Sequence, residues 1–191
     1  GPLSMPAAPR QVKEPLAEGE GAGRPHREIP GTMAAPNGAD YAELVVDAAS
    51  PEETMALGRR LGELLCPGTF IALIGPLGAG KTTFVQGLAD GLCAQGAITS
   101  PTFVLMRLHQ GRVPLAHADA YRLGGAADLA ELGIEELADE CVVALEWADT
   151  ISDTLPEDRI ELRIEYTEEG RRLDIRGQGP ASSNAVRALQ P

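Results

Sequence analysis

The stretch TFIALIGPLGAGKTT, Thr69 to Thr83, decides the fold. Its first half is a short apolar run of strand type. Its second half meets the pattern G-x-x-x-x-G-K-[ST] at Gly75, Gly80, Lys81 and Thr82. Glycine lets the backbone turn with φ > 0 and brings bare N–H groups against an anion. The helix that follows aims its partial positive charge at the same point. Lys81 reaches the outer phosphates, and the Thr82 hydroxyl is a ligand for Mg²⁺. The expected nucleotide cradle runs from Gly75 through Gly78, Ala79 and Gly80 to Lys81, Thr82 and Thr83. A glycine-rich turn with a chance GKT is the plainer alternative. It is disfavoured by the strand before the loop and by Phe84, Val85, Leu88 and Leu92 at helical spacing after it. Guanine-specific P-loop proteins carry an Asn-Lys-x-Asp run that is missing here, so ATP is the expected nucleotide.

Working outward, YAELVVDAA reads as a first strand, and SPEETMALGRRLGELL as a helix. Ser50 caps that helix, Pro51 suits its first position and Glu53 completes a capping box. After the P-loop helix a strand is expected at about 103–108. A turn follows at Gln110-Gly111, then a strand ending near Asp119, which makes an antiparallel hairpin. GGAADLAELGIEELADE reads as two short helices split at Gly133. CVVALEW reads as a buried central strand, and DRIELRIEY with RRLDIR as a second hairpin. Residues 1–37 have no apolar periodicity and read as a disordered tail. GPLS before Met5 reads as the scar of a cleaved expression tag, and Met5 and Met33 both stand as candidate natural starts. Residues 38–177 are expected to form one P-loop ATPase domain, and 178–191 a flexible tail.

The chain has 191 residues, 43% of them apolar, enough for one core. A net charge of −12 makes it a poor grip on nucleic acid by itself, so any RNA would be held by a partner. No run has the length of a membrane span, and no signal peptide pattern is present. Cys66, Cys93 and Cys141 fit a reducing, cytoplasmic setting as small buried side chains.

A P-loop cation needs an acid from a neighbouring strand end. Glu146, closing VVALE, and Asp119, closing PLAHAD, are the candidates; the spacing does not divide metal binding and water orientation between them. Ser100 and Thr102 in TSPTF are candidate γ-phosphate sensors of a switch loop, or the hydroxyls of a plain loop. His109 and His117 read as packing or surface residues. No arginine finger stands out: Arg122, Arg171 and Arg172 are candidates, or a partner supplies one.

GPLGAGKTTF, TSPTF, HADAYRL and LEWAD occur in the order and spacing of the TsaE (YjeE) family, the bacterial ATPases of tRNA threonylcarbamoyladenosine biosynthesis, and the chain resembles that family from about Glu43 to Arg176. The resemblance implies an α/β fold, a P-loop NTPase-like three-layer α/β/α sandwich with a mixed parallel/antiparallel sheet. It implies slow hydrolysis of Mg-ATP and association with the TsaB–TsaD heterodimer, which meets the tRNA and performs the transfer while ATP turnover resets the complex. It further implies Lys81 on the phosphates, Thr82 and Glu146 on the metal, and Asp119 as the acid required for turnover. Trp147 lies near the nucleotide, with Thr54 and Arg171 toward the adenosine. Pro76 departs from the family, whose members often carry an acid there. Two alternatives stay open: a P-loop small-molecule or nucleoside kinase, and a nucleotide-dependent interaction module with negligible turnover.

Overall fold

The computed structural model describes residues 40–101 and 105–191. The expected N-terminal tail, Thr102 and Phe103 lie outside them. Seven strands form one sheet in the order β1-β7-β6-β2-β5-β4-β3. They are β1 (Tyr41–Ala48), β2 (Phe70–Ile74), β3 (Met106–His109), β4 (Leu115–Asp119), β5 (Val142–Glu146), β6 (Arg159–Tyr166) and β7 (Arg171–Gln178). The central pairs β6–β2, β2–β5 and β5–β4 are parallel, and the flanking pairs β1–β7, β7–β6 and β4–β3 antiparallel. The sheet is thus mixed, as expected, with both hairpins where the sequence puts them.

Side-chain alternation divides the sheet into two faces. Ile71 and Leu73 of β2, Leu115 of β4 and Ala144 of β5 meet α1 (Pro51–Leu64), α2 (Lys81–Gly91) and α5 (Pro180–Leu189). Phe70, Ala72, Ala116 and Leu145 face the other way, against α3 (Ala126–Glu131), α4 (Ile134–Leu137) and a 3-10 segment, Ala148–Thr154. These helices give the three layers. On β6, β7 and β1 the second face instead carries cross-strand charges, among them Arg176 with Glu43 and Arg172 with Asp47.

Four glycines set the distance between α1 and α2. A Cβ on Gly58 would stand 2.3 Å from the Phe84 carbonyl oxygen, and one on Gly62 2.4 Å from that of Leu88. From the other side, a Cβ on Gly87 would stand 1.9 Å from the Met55 oxygen, and one on Gly91 2.2 Å from that of Arg59. Each pair is spaced i, i+4, so each lies along one helix face and the two backbones pack directly. Arg112, after β3, donates to Gly62 O (2.8 Å) at the end of α1 and to Gly91 O (3.4 Å) at the end of α2. One guanidinium thereby ties the last turns of both helices together through their carbonyls, Gly62 O being shared with the Leu65 N–H.

The C-terminus corrects an expectation. Gln178 belongs to β7, and the residues read as a flexible tail form α5, which buries Val186 and Leu189 in the core. Its first turn is held from a distance: Asp158 accepts from Ala181 N and Ser182 N, both at 2.9 Å. The cysteine expectation also fails in part, because Cys66 and Cys93 are exposed and only Cys141 is buried.

Candidate nucleotide site

The central parallel strands all end at one edge, and their C-terminal ends supply the site. β2 runs into Gly75, β4 ends on Asp119, β5 on Glu146 and β6 on Tyr166. Gly75 has φ +153°, and a Cβ there would lie 2.5 Å from Ile164 O, so the loop leaves β2 in a cleft only glycine fits. Gly80, at φ 110°, precedes α2, and no side chain caps that helix. Its first N–H groups therefore face the loop, as an anion requires.

Lys81 is 5% exposed. Its Nζ donates to Gly75 O (2.7 Å) and Pro76 O (3.0 Å) and lies 3.7 Å from the centroid of the Trp147 ring. Burial pushes its pKa below the ordinary lysine value, against the opposing pull of Glu146, Asp149 and Asp119. Thr82 Oγ1 donates to Glu146 Oε1 at 2.8 Å, joining residues 64 positions apart. Asp119 stands opposite Glu146 in the β4–β5 register, and both are almost fully buried. Tyr121 N donates to Asp119 Oδ1 at 2.8 Å, which fixes that carboxylate in a tight turn. Trp147 adopts the left-handed region (φ 59°, ψ 34°), an uncommon conformation for a bulky residue, and this turns its ring toward Lys81 and Tyr121.

On the β6–β7 side of the loop, a cavity of about 120 Å³ is lined by Thr54, Gly78, Ala79, Gly80, Thr83 and Arg171, among others. All six are expected nucleotide residues. Thr54 is buried on α1 and donates to Ser50 O. Arg171 donates through Nε to Ala79 O (3.0 Å) and stacks over Tyr166, whose hydroxyl donates to Leu77 O (2.6 Å). The last hairpin thus braces the loop from outside. A larger cavity of about 520 Å³ adjoins it, sharing Ala48, Ala49 and Arg171. Arg172 pairs with Asp47 on the sheet face. Ser100 is exposed in the loop before β3, and Thr102 lies outside the described residues.

Sequence reasoning passed over His117 and Tyr166. His117 is fully buried, with Nε2 2.8 Å from Glu146 Oε1. The only signal for it was its place two residues before Asp119, on the same strand face. Tyr166 carried none beyond its position at the end of a strand.

The residues fit a nucleotide with a hard cation. The Thr82 hydroxyl and Glu146 carboxylate are adjacent oxygen donors, and the loop approaches so closely that a Cβ would fill the Gly75 cleft. No group of three or more His, Cys, Asp or Glu among the described residues is gathered to hold a metal by itself.

Residues 48–173 match the model of the family "Threonylcarbamoyl adenosine biosynthesis protein TsaE". The chain is 42% identical over 132 residues to the tRNA threonylcarbamoyladenosine biosynthesis protein TsaE of Streptomyces coelicolor, covering 64% of this chain and 89% of that one. It is 38% identical over 117 residues to the Bacillus subtilis protein of the same name, covering 60% and 73%. The crystal structure of Bacillus subtilis YdiB superposes with a TM-score of 0.66 at 28% identity, over 81% of this chain and 97% of that one.

Proposed function

The chain belongs to the TsaE family of tRNA threonylcarbamoyladenosine biosynthesis, and from that premise we propose that it is a slow Mg-ATPase. It sustains the cycle of a TsaB–TsaD complex without transferring the threonylcarbamoyl group itself. The observation that carries this reading is the 2.8 Å contact between Thr82 and Glu146 beside the Lys81 ammonium. It joins the phosphate loop to a buried acid from a different strand, and such an acid is costly without a partner of opposite charge.

Each residue then has a task. The loop N–H groups and the start of α2 bind the phosphates. Lys81 exchanges the Gly75 and Pro76 carbonyls for phosphate oxygens, and Trp147 keeps its stem in place. The Thr82 hydroxyl and Glu146 hold Mg²⁺, which when bound neutralises charge on the phosphate oxygens. Asp119, one strand further out, accepts a hydrogen bond from the attacking water and orients it. Thr54 and Arg171 border the adenosine end. Phosphoryl transfer of this kind is mostly positioning and charge stabilisation, so slow turnover is expected until a partner completes the site. The net charge of −12 supports leaving the tRNA to that partner, and the setting is cytoplasmic.

Phosphate release from Mg-ATP, measured with and without TsaB–TsaD, tests the reading. Release should rise on adding the heterodimer and be lost in Glu146→Gln and Asp119→Asn. Rapid phosphorylation of a nucleoside by the chain alone would instead make it a kinase.

A further inference from the structure

We propose that His117 is a positioning residue that holds the Glu146 carboxylate for the cation, an inference that rests on the reading of Glu146 given above. His117 occupies a core position. Leu115 packs in the cluster under α2, and alternation puts His117 and Asp119 on the same face of β4. A leucine there would carry no polar cost, whereas a buried imidazole must be bonded to be tolerated. Its Nε2 lies 2.8 Å from Glu146 Oε1, and its Nδ1 has no partner among the described residues. The ring is therefore committed to one atom.

A carboxylate oxygen accepts, so the hydrogen of this contact is placed on Nε2. Oε1 thus receives two donors from two elements, His117 from β4 and Thr82 from α2. Two fixed donors on one oxygen set the torsion of the carboxylate and leave Oε2 out of both contacts. Thr82 cannot do this alone, because the same hydroxyl is itself assigned to the cation. His117 is the donor whose position does not depend on what Thr82 binds. His109, the other buried histidine among the described residues, is spent elsewhere: its Nδ1 meets Gln95 O at 3.2 Å.

The test titrates Mg²⁺ into the full chain with a fluorescent, non-hydrolysable ATP analogue and reads nucleotide affinity. His117→Leu should need about tenfold more Mg²⁺ than wild type for half-maximal tightening, the effect typical of losing a group that orients a metal ligand. Its affinity in EDTA should match wild type. His117→Gln, whose amide nitrogen can take the place of Nε2, should restore the wild-type response. His117→Asn, whose amide ends near the Nδ1 position, should behave like His117→Leu. A folded His117→Leu with wild-type Mg²⁺ dependence would overturn the inference, as would a His117→Gln no better than it. Should His117→Leu not fold, the contrast between His117→Gln and His117→Asn decides in the same way. A wild type whose nucleotide affinity ignores Mg²⁺ would overturn the reading of Glu146 itself, and is distinguishable because no variant would then differ.

Discussion

The Lys81 ammonium stands 3.7 Å from the centroid of the Trp147 ring, and Trp147 directly follows the strand-end acid Glu146. One residue after the carboxylate therefore steadies the cation of the loop. A partly desolvated contact of this type is worth about 2 kcal/mol.

Trp147 is the only tryptophan of the chain, so intrinsic fluorescence reads this contact directly. Adding Mg-ATP should change the emission as Lys81 turns to phosphate. Lys81→Ala should weaken nucleotide binding at least about tenfold, the cost of charge-assisted hydrogen bonds. An unchanged affinity in a titration of Lys81→Ala would contradict the P-loop assignment.

The α1–α2 contact should tolerate no methyl group at Gly87. A Cβ there meets the Met55 carbonyl oxygen at 1.9 Å, and backbone cannot step aside as a side chain can. Gly87→Ala should cost at least about 3 kcal/mol, the upper end for overpacking. Gly68→Ala has open space and pays only for its left-handed φ, about 1 kcal/mol. Denaturant melts of the two variants check this; equal costs would refute the close packing.

Asp158 gives the fold a pH dependence in acid. Burial pushes its carboxyl up, but hydrogen bonds from the Ser182 side chain and from Ala181 and Ser182 N–H outweigh it and hold it below the ordinary aspartate value. A lowered folded value means that the unfolded chain binds the proton first. The contribution is complete above the ordinary carboxylate range and is lost as pH falls through the lowered value. Asp158→Asn should cost about 1 kcal/mol at neutral pH, the usual worth of a helix cap, and less as the pH drops. Melting temperatures across an acid series would show the wild type and the variant converging; parallel curves would contradict it.

What could be read in advance follows from how local each signal is. The P-loop was legible because its glycines, lysine and hydroxyl are contiguous. The strand-end positions of Asp119 and Glu146 were legible because each closes a run of mostly apolar residues. The helix α5 was missed because PASSNAVRAL has small polar residues, its inward face rests on Val186 and Leu189, and its cap comes from Asp158, over twenty positions away. His117 was read as a packing or surface residue because its partner is on another strand. The interlocking glycines 58, 62, 87 and 91 look like helix weakeners until the two helices are set against each other. Cys66 and Cys93 were expected inside from residue type alone, and position overrode that tendency.

The central claim, that nucleotide turnover at Lys81 and Glu146 sustains a tRNA-modifying complex, is tested most directly by the threonylcarbamoyladenosine formed over time by TsaB–TsaD with this chain and ATP. Wild-type chain should sustain repeated turnover of the complex, while Lys81→Ala and Glu146→Gln, each folded by thermal melt, should stall it early. Sustained, wild-type formation with Lys81→Ala would contradict the account.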